Sequence, residues 1–213
     1  MSAVTFAWTG RAGAPQPPGD ERERVLDAAL EAFLDFGIRR TSMGEIARRS
    51  RLSPATLYRR FNGKDDVVGA VGRREIERLL AAVDAEVDRL APPDEQVIAL
   101  FSSFLRAMRD NRLLQRLLTT EPDVVLPLLT VEAGPVVALG REYLAGFLRD
   151  LQTRLALPPT DVGPVAEVIA RVALSLALTP QTCLPLDRAD EGFRDVVHQF
   201  LGGVLSTLAP PAR

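Results

Sequence analysis

Thr41-Ser42-Met43-Gly44-Glu45-Ile46-Ala47-Arg48-Arg49-Ser50-Arg51-Leu52-Ser53-Pro54-Ala55-Thr56-Leu57-Tyr58-Arg59-Arg60-Phe61 is the stretch that decides the fold. Ser42, with Glu45 three residues later, forms a capping box, in which a hydroxyl and a carboxyl each serve a free N–H at a helix start. The box heads a short helix over residues 43–49. Ser53 caps another, and Pro54 occupies its first turn, where a missing N–H costs nothing. Leu57 and Phe61 are four apart and face inward from that helix, which ends near Phe61. Ser50-Arg51-Leu52 is the turn between the two. Upstream, Asp20 and Glu23 make a further box, followed by Val25, Leu26, Ala29, Leu30, Phe33 and Leu34 at helical spacing. Gly37 supplies a left-handed stop, and Ile38 packs back on the helix it ends. Downstream, Asn62-Gly63 breaks the chain before a long helix opens at Lys64, where Asp65 and Asp66 complement the positive end of its dipole. A long helix backing two short ones is the geometry of a three-helix DNA-reading unit.

The charge distribution points the same way. The 213 residues carry a net charge of −2. Between Arg39 and Lys64, however, there are eight basic residues and one acid, Glu45, a surplus of seven positive charges. The remainder of the chain therefore carries −9. A basic block inside an acidic protein suits a polyanion-binding module attached to a body that avoids polyanions. A solvated helical face is the plainer account of such a cluster.

From Asp20 onward the pattern stays helical, and no strand-like alternation interrupts it. Val97, Phe101, Phe104, Leu105 and Met108 form one stripe. Residues 113–118 and 122–129 read as short helices broken by Pro122 and Pro127. Tyr143, Leu144, Phe147, Leu148, Leu151 and Leu155 mark a longer helix, ended by Pro158-Pro159. Residues 165–178 are apolar almost all round, apart from Glu167, Arg171 and Ser175. A final helix carries Phe193, Val196, Val197, Phe200, Leu201, Val204, Leu205 and Leu208, with Gly202-Gly203 open to close backbone approach. Helices this apolar need cover on nearly every side. We expect Val168, Val172, Phe193, Val197, Phe200, Leu201, Val204 and Leu208 to form a two-fold subunit interface. Residues 1–19, with Pro15, Pro17, Pro18 and three glycines, read as a disordered tail. The expected class is all-α, with about nine helices.

On the reading helix, Ala55 and the Thr56 methyl suit apolar contact with thymine, while Arg59 or Arg60 could fork onto guanine or meet phosphate. Tyr58 offers a hydroxyl to a phosphate oxygen. Lys64, the single lysine of the chain, brings an ammonium and free backbone N–H groups to the next helix start. In the body, Phe101, Phe104, Met108, Leu117, Val125, Leu128, Phe147 and Leu151 face inward. Any cavity among them would be apolar and suit a hydrophobic or amphipathic ligand.

Residues 22–67, from Arg22-Glu23-Arg24-Val25-Leu26 through Gly37, Thr41, Glu45-Ile46-Ala47, Leu57-Tyr58, Phe61 and Lys64, resemble the DNA-binding domain of the tetracycline-repressor (TetR) family. The resemblance covers about a quarter of the chain. It implies a homodimer closed by the last two long helices, a ligand cavity in each body, and a helix 4 that shifts on ligand binding. It also implies phosphate contacts by Thr41, Tyr58 and Lys64. Three departures stand out. Arg51 takes a turn position where the family usually has glycine, and a left-handed backbone there would cost arginine about 1 kcal/mol. Arg60 replaces a common aromatic, adding a cation to the reading helix. Ala55 stands where glycine is frequent.

The organisation expected is therefore a tail over residues 1–19, a helix-turn-helix domain over 20–66, and a ligand-binding and dimerisation domain over 67–213. The DNA-contacting set is Thr41, Ser42, Arg51, Ser53, Pro54, Ala55, Thr56, Tyr58, Arg59 and Lys64. The expected partners are a double-stranded, palindromic DNA operator, a second copy of the chain, and a small hydrophobic ligand. Two other readings stay open: a regulator without ligand response, and a helical enzyme acting on an apolar substrate. Against the enzyme, there is no glycine-rich phosphate loop, no metal-ligand cluster and no Ser/His/Asp grouping. His198 and Cys183 are single residues of their type and build neither a metal site nor a disulfide, so no cofactor is expected. Glu121 and Asp123, flanking Pro122, read as a solvated interhelical loop. No apolar run approaches a membrane span, and residues 1–19 lack a signal-peptide pattern, so a cytoplasmic location is expected.

Overall fold

The computed structural model describes residues 19–179 and, beyond them, positions 181, 192, 195, 196 and 199. Among the described residues there are nine helices and no strand. They are α1 (Gly19–Arg40), α2 (Met43–Ser50), α3 (Pro54–Arg60), α4 (Lys64–Ala85), α5 (Pro93–Asp110), α6 (Arg112–Thr120), α7 (Pro122–Leu129), α8 (Gly134–Arg154) and α9 (Gly163–Leu178). The all-α class is the one the sequence predicts. Most of the tail, Cys183, His198 and the interface candidates Phe193, Val197, Phe200, Leu201, Val204 and Leu208 lie outside the described residues.

The helices form two compact units. The first holds residues up to Ile76 together with Asn111–Thr130, so α6 and α7 belong with α1, α2, α3 and the first half of α4. Its core joins Val25, Leu26, Ala29 and Phe33 of α1 to Ile46, Leu57, Phe61, Val67 and Val71, and Leu117 and Val125 complete it. Phe33, Leu26, Ile46 and Leu57 are among its fully buried side chains. Burying each contributes about 1.5–3 kcal/mol relative to exposure. The second unit holds Glu77–Asp110 and the chain from Val131 onward, built on Val83, Ile98, Leu100, Leu144, Phe147, Leu148, Leu151, Ala166 and Ile169. In it, the buried Gln96 amide donates to the carbonyls of Arg89 and Ala91, and its oxygen accepts from Arg154, which orders the chain between α4 and α5.

Two local details differ from the sequence reading. Pro127 does not break its segment; it lies inside α7. Only the N–H that would bond the Asp123 carbonyl is lost, and the helix ends soon after, at Thr130. Gly37 interrupts α1 with φ 81 and ψ 168. The φ is positive, as a helix stop requires, but the ψ is extended, in a region that is essentially glycine's own.

Candidate nucleic-acid interface

The short helices are built as their caps dictate. Ser42 Oγ accepts the Glu45 N–H at 3.2 Å, and Ser53 Oγ accepts the Thr56 N–H at 3.1 Å. Only half of the Ser42–Glu45 box forms, because the Glu45 carboxylate is taken by arginines instead. Its oxygens accept Arg48 Nε and Nη2 at 2.9 and 2.7 Å, and Arg49 Nε at 2.7 Å. Those hydrogen bonds, Arg48's first and Arg49's next, hold the Glu45 carboxyl at about 2, well below the usual carboxylate range. The turn ends α2 at Arg51, whose φ of 59 and ψ of 34 are left-handed. Its N–H meets the carbonyls of Ala47 and Arg48, and Leu52 N–H reaches Ala47 O at 2.9 Å. This satisfies carbonyls that the helix end would otherwise leave bare, at a cost to a non-glycine residue of about 1–2 kcal/mol.

Leu57 and Phe61 seat α3 in the core at 0% and 2% exposure. That leaves Pro54, Ala55, Tyr58 and Arg59 on the outer side, with Ser53 beside them and Thr56 half-buried. Tyr58 is 56% exposed. The Thr56 hydroxyl lies 2.9 Å from Ser53 Oγ, so its polar atom is already engaged.

Of the eight cations between Arg39 and Lys64, the structure commits five. Arg48 and Arg49 hold Glu45, Arg49 also pairs with Asp35, and Arg39 pairs with Asp123. Arg60, expected to add a charge to the reading helix, turns back to pair with Glu21 on α1 and is largely covered. Lys64 Nζ donates to the carbonyls of Ile38 and Arg39 at 3.0 and 3.1 Å. The side chains of Arg40, Arg51 and Arg59 are exposed and have no ion-pair or hydrogen-bond partner among the described residues. These three are the cations of the block that the fold leaves uncommitted.

The connection from α1 to α2 is held from several sides. Thr41 is buried, and its hydroxyl donates to Gly37 O at 2.7 Å and Ala32 O at 3.1 Å. Its side chain thus fastens the entry to α2, while the exposed Ser42 beside it faces solvent. Glu121 is not in a solvated loop. It is 7% exposed, and its carboxylate accepts the Ile38 N–H at 2.7 Å and the Arg39 N–H at 3.1 Å. Asp123 is the solvated member of that pair. No local pattern in the sequence signals Glu121; the one hint is a carboxylate wedged between a helix end and Pro122.

The inward-facing residues of the body fall into both units. Phe147 and Leu151 are in the core of the second, with Phe101 and Phe104 packed against it, and Met108 is buried on α5. Leu117 and Val125 belong to the core of the first, and Leu128 is buried on α7. On α9, Val168 and Val172 are 55% and 42% exposed.

Residues 25–71 match the model of bacterial regulatory proteins of the tetR family, and residues 94–192 match that of the tetracyclin repressor C-terminal domain. The chain is 32% identical over 160 residues to the HTH-type transcriptional repressor KstR of Mycolicibacterium smegmatis, covering 73% of this chain and 74% of that protein. It is 27% identical over 191 residues to an uncharacterized HTH-type transcriptional regulator of Mycobacterium tuberculosis, covering 90% and 88%. Among solved structures, the TetR family repressor AlkX from Dietzia sp. superposes with a TM-score of 0.65 at 22% identity, over 92% of this chain and 98% of that one. The repressor QsdR of R. erythropolis gives 0.63 at 21% identity, over 92% and 100%. With its capped helix pair, its two matched domains and these relatives, the chain belongs to the tetR family of bacterial DNA-binding transcriptional regulators.

Proposed function

We propose that this regulator binds a palindromic operator as a homodimer, represses from it, and is released by a small hydrophobic ligand held in the body. The observation that carries the DNA contact is the exposed set Arg51, Ala55, Tyr58 and Arg59 around a helix seated by Leu57. Ala55, Thr56 and Arg59 meet base edges, while Ser42, Arg51, Ser53, Pro54 and Tyr58 hold phosphates and sugars. Thr41 and Lys64 act behind them, through the backbone they fasten and through the one N–H donor of the Lys64 ammonium that its two carbonyl bonds leave over.

The dimer is supported by Val168 and Val172, one turn apart and exposed on α9, beside the ion-paired Arg141, Glu167 and Arg171. An apolar stripe with a polar rim is the anatomy of an interface. The apolar character of Phe101, Phe104, Met108, Phe147 and Leu151 supports a hydrophobic ligand over a charged one. Among the described residues no single helix is long and apolar enough to cross a membrane, and no cluster of metal-binding side chains occurs. We place the protein in the cytoplasm, as a regulator and not an enzyme.

Selection of bound duplexes from a random pool tests the reading directly. We expect a two-fold symmetric site whose log affinity falls steeply with log salt, and relaxed preference at particular bases for Arg59→Ala. No enriched site, or salt-insensitive binding, would sink it. A thermal-shift screen of hydrophobic small molecules, followed by release from the selected site, tests the ligand arm.

A further inference from the structure

The peptide groups at the end of α1, from its interruption at Gly37 to Arg39, are engaged on both sides by side chains, two of them from distant parts of the sequence. The carbonyls of Ile38 and Arg39 accept from Lys64 Nζ, and the Gly37 carbonyl accepts from Thr41. The N–H groups of Ile38 and Arg39 go to Glu121, 83 and 82 residues away. A Cβ at Gly37 would lie 2.6 Å from Glu121 Oε1, so the carboxylate rests directly on the bare glycine. One further bond holds the same contact: Arg116 donates to Asp35 O at 2.8 Å.

Glu121 stands at the joint of two helices, as the C-cap of α6 and the N-cap of α7. An acidic N-cap ordinarily accepts from the first turn of its own helix. Here the side chain makes no such bond and spends its charge on a distant backbone instead. That backbone leads within three residues to Arg40 and Ser42, two of the exposed groups that flank the reading helices. The joint is also topologically singular: α6 and α7 pack in the first unit, yet the chain enters them from α5 and leaves them for α8, both in the second.

We propose that Glu121 is a positioning residue for DNA binding. Its carboxylate fixes the Gly37–Arg39 backbone, and through it the presentation of Arg40, Ser42 and α2 to the duplex. This rests on the DNA-binding reading above. The α6–α7 joint thereby gains a covalent and hydrogen-bonded route to the reading head that does not pass along α4.

The test uses the full-length protein and the duplex that wild type selects from a random pool. Affinities for that duplex and for a random one are measured for wild type, Glu121→Gln, Glu121→Asp and Asp123→Asn, with thermal midpoints and amide exchange at Ile38 and Arg39. Glu121→Gln keeps the shape but loses the charge-assisted acceptor. We expect it to bind the selected duplex about tenfold more weakly, the loss of one such bond, while random-duplex affinity holds. Amide exchange at Ile38 and Arg39 should quicken. Glu121→Asp keeps the charge and shortens the reach, so it should show the same separation and decides the matter if the glutamine variant does not fold. Asp123→Asn removes an equal charge from the exposed ion pair beside it and should weaken neither affinity by more than about twofold, since the Arg39 it frees can only add attraction to a duplex. An enriched site bound equally well by wild type and both Glu121 variants overturns the inference alone. So does a loss that falls equally on both duplexes, or one that Asp123→Asn reproduces. If wild type enriches no site, the DNA-binding reading fails and takes this inference with it.

Discussion

A charge count along the chain describes α2 and α3 poorly, because each arginine there has its own fate. Arg60 folds onto Glu21, and Arg49 bridges Glu45 and Asp35 while lying over the Phe36 ring at 5.2 Å. Arg51 is held out by a left-handed turn. Glu45 governs two of these cations, so its ionisation bears on both stability and DNA binding. The carboxyl is lowered from 4.5 to about 2 in the fold. A carboxylate with a depressed pKa adds stability above its unfolded value and loses it as pH falls through the folded one. We therefore expect part of the stability to vanish between about pH 4.5 and pH 2, and Glu45→Gln to flatten that part of the profile in acid unfolding. Because Arg48 is mostly exposed, freeing it should also steepen the salt dependence of random-duplex binding, by about one counterion. An unchanged salt slope would show that Arg48 and Arg49 do not reach the duplex even when released.

At the level of elements, what was legible in the sequence is what is local. Ser42 and Ser53 announce their helices because a cap acts within three residues, and Leu57 with Phe61 shows which face is buried because they are four apart. A turn at Arg51 could be foreseen from its place between two capped segments, but its left-handed backbone is hinted at only by the glycine that the resembled family usually has there. The partners of Arg60, Lys64 and Glu121 could not, since each lies 25 to 83 residues away, and periodicity along one helix carries no information about which side chain of another will meet it. The same limit explains why Glu121 read as solvated and why the grouping of α6 and α7 with the N-terminal helices is not read from the sequence. Where local logic does rule, its energy can be measured: Ser53→Ala should destabilise the protein by about 1 kcal/mol in denaturant unfolding. It should weaken the selected duplex more than a random one, because the first turn of α3 carries Ala55 and Thr56. Equal loss on both duplexes would mean that Ser53 acts only as a phosphate contact.

For the whole molecule, the proposed two-fold operator calls for a subunit contact, and the exposed face of α9 is the place proposed for it. Val168 and Val172 lie one turn apart, with the Glu167–Arg171 pair alongside. Leaving these two half-exposed valines in water forfeits about 1 kcal/mol each relative to full burial, which a second copy would recover on docking. Val168→Arg places a charge in that stripe without touching the core of either unit, because the native side chain is already 55% exposed. We expect the variant to keep its thermal profile at low concentration and to sediment as a monomer where wild type sediments as a dimer. Its affinity for the full palindrome should fall by about 10²–10⁴, the gain that linking two reading heads confers. Affinity for an isolated half-site should stay unchanged, since Arg51, Tyr58 and Arg59 lie on α2's turn and α3, far along the chain from α9. A Val168→Arg protein that remains dimeric and holds the palindrome as tightly as wild type would place the subunit contact elsewhere than this face.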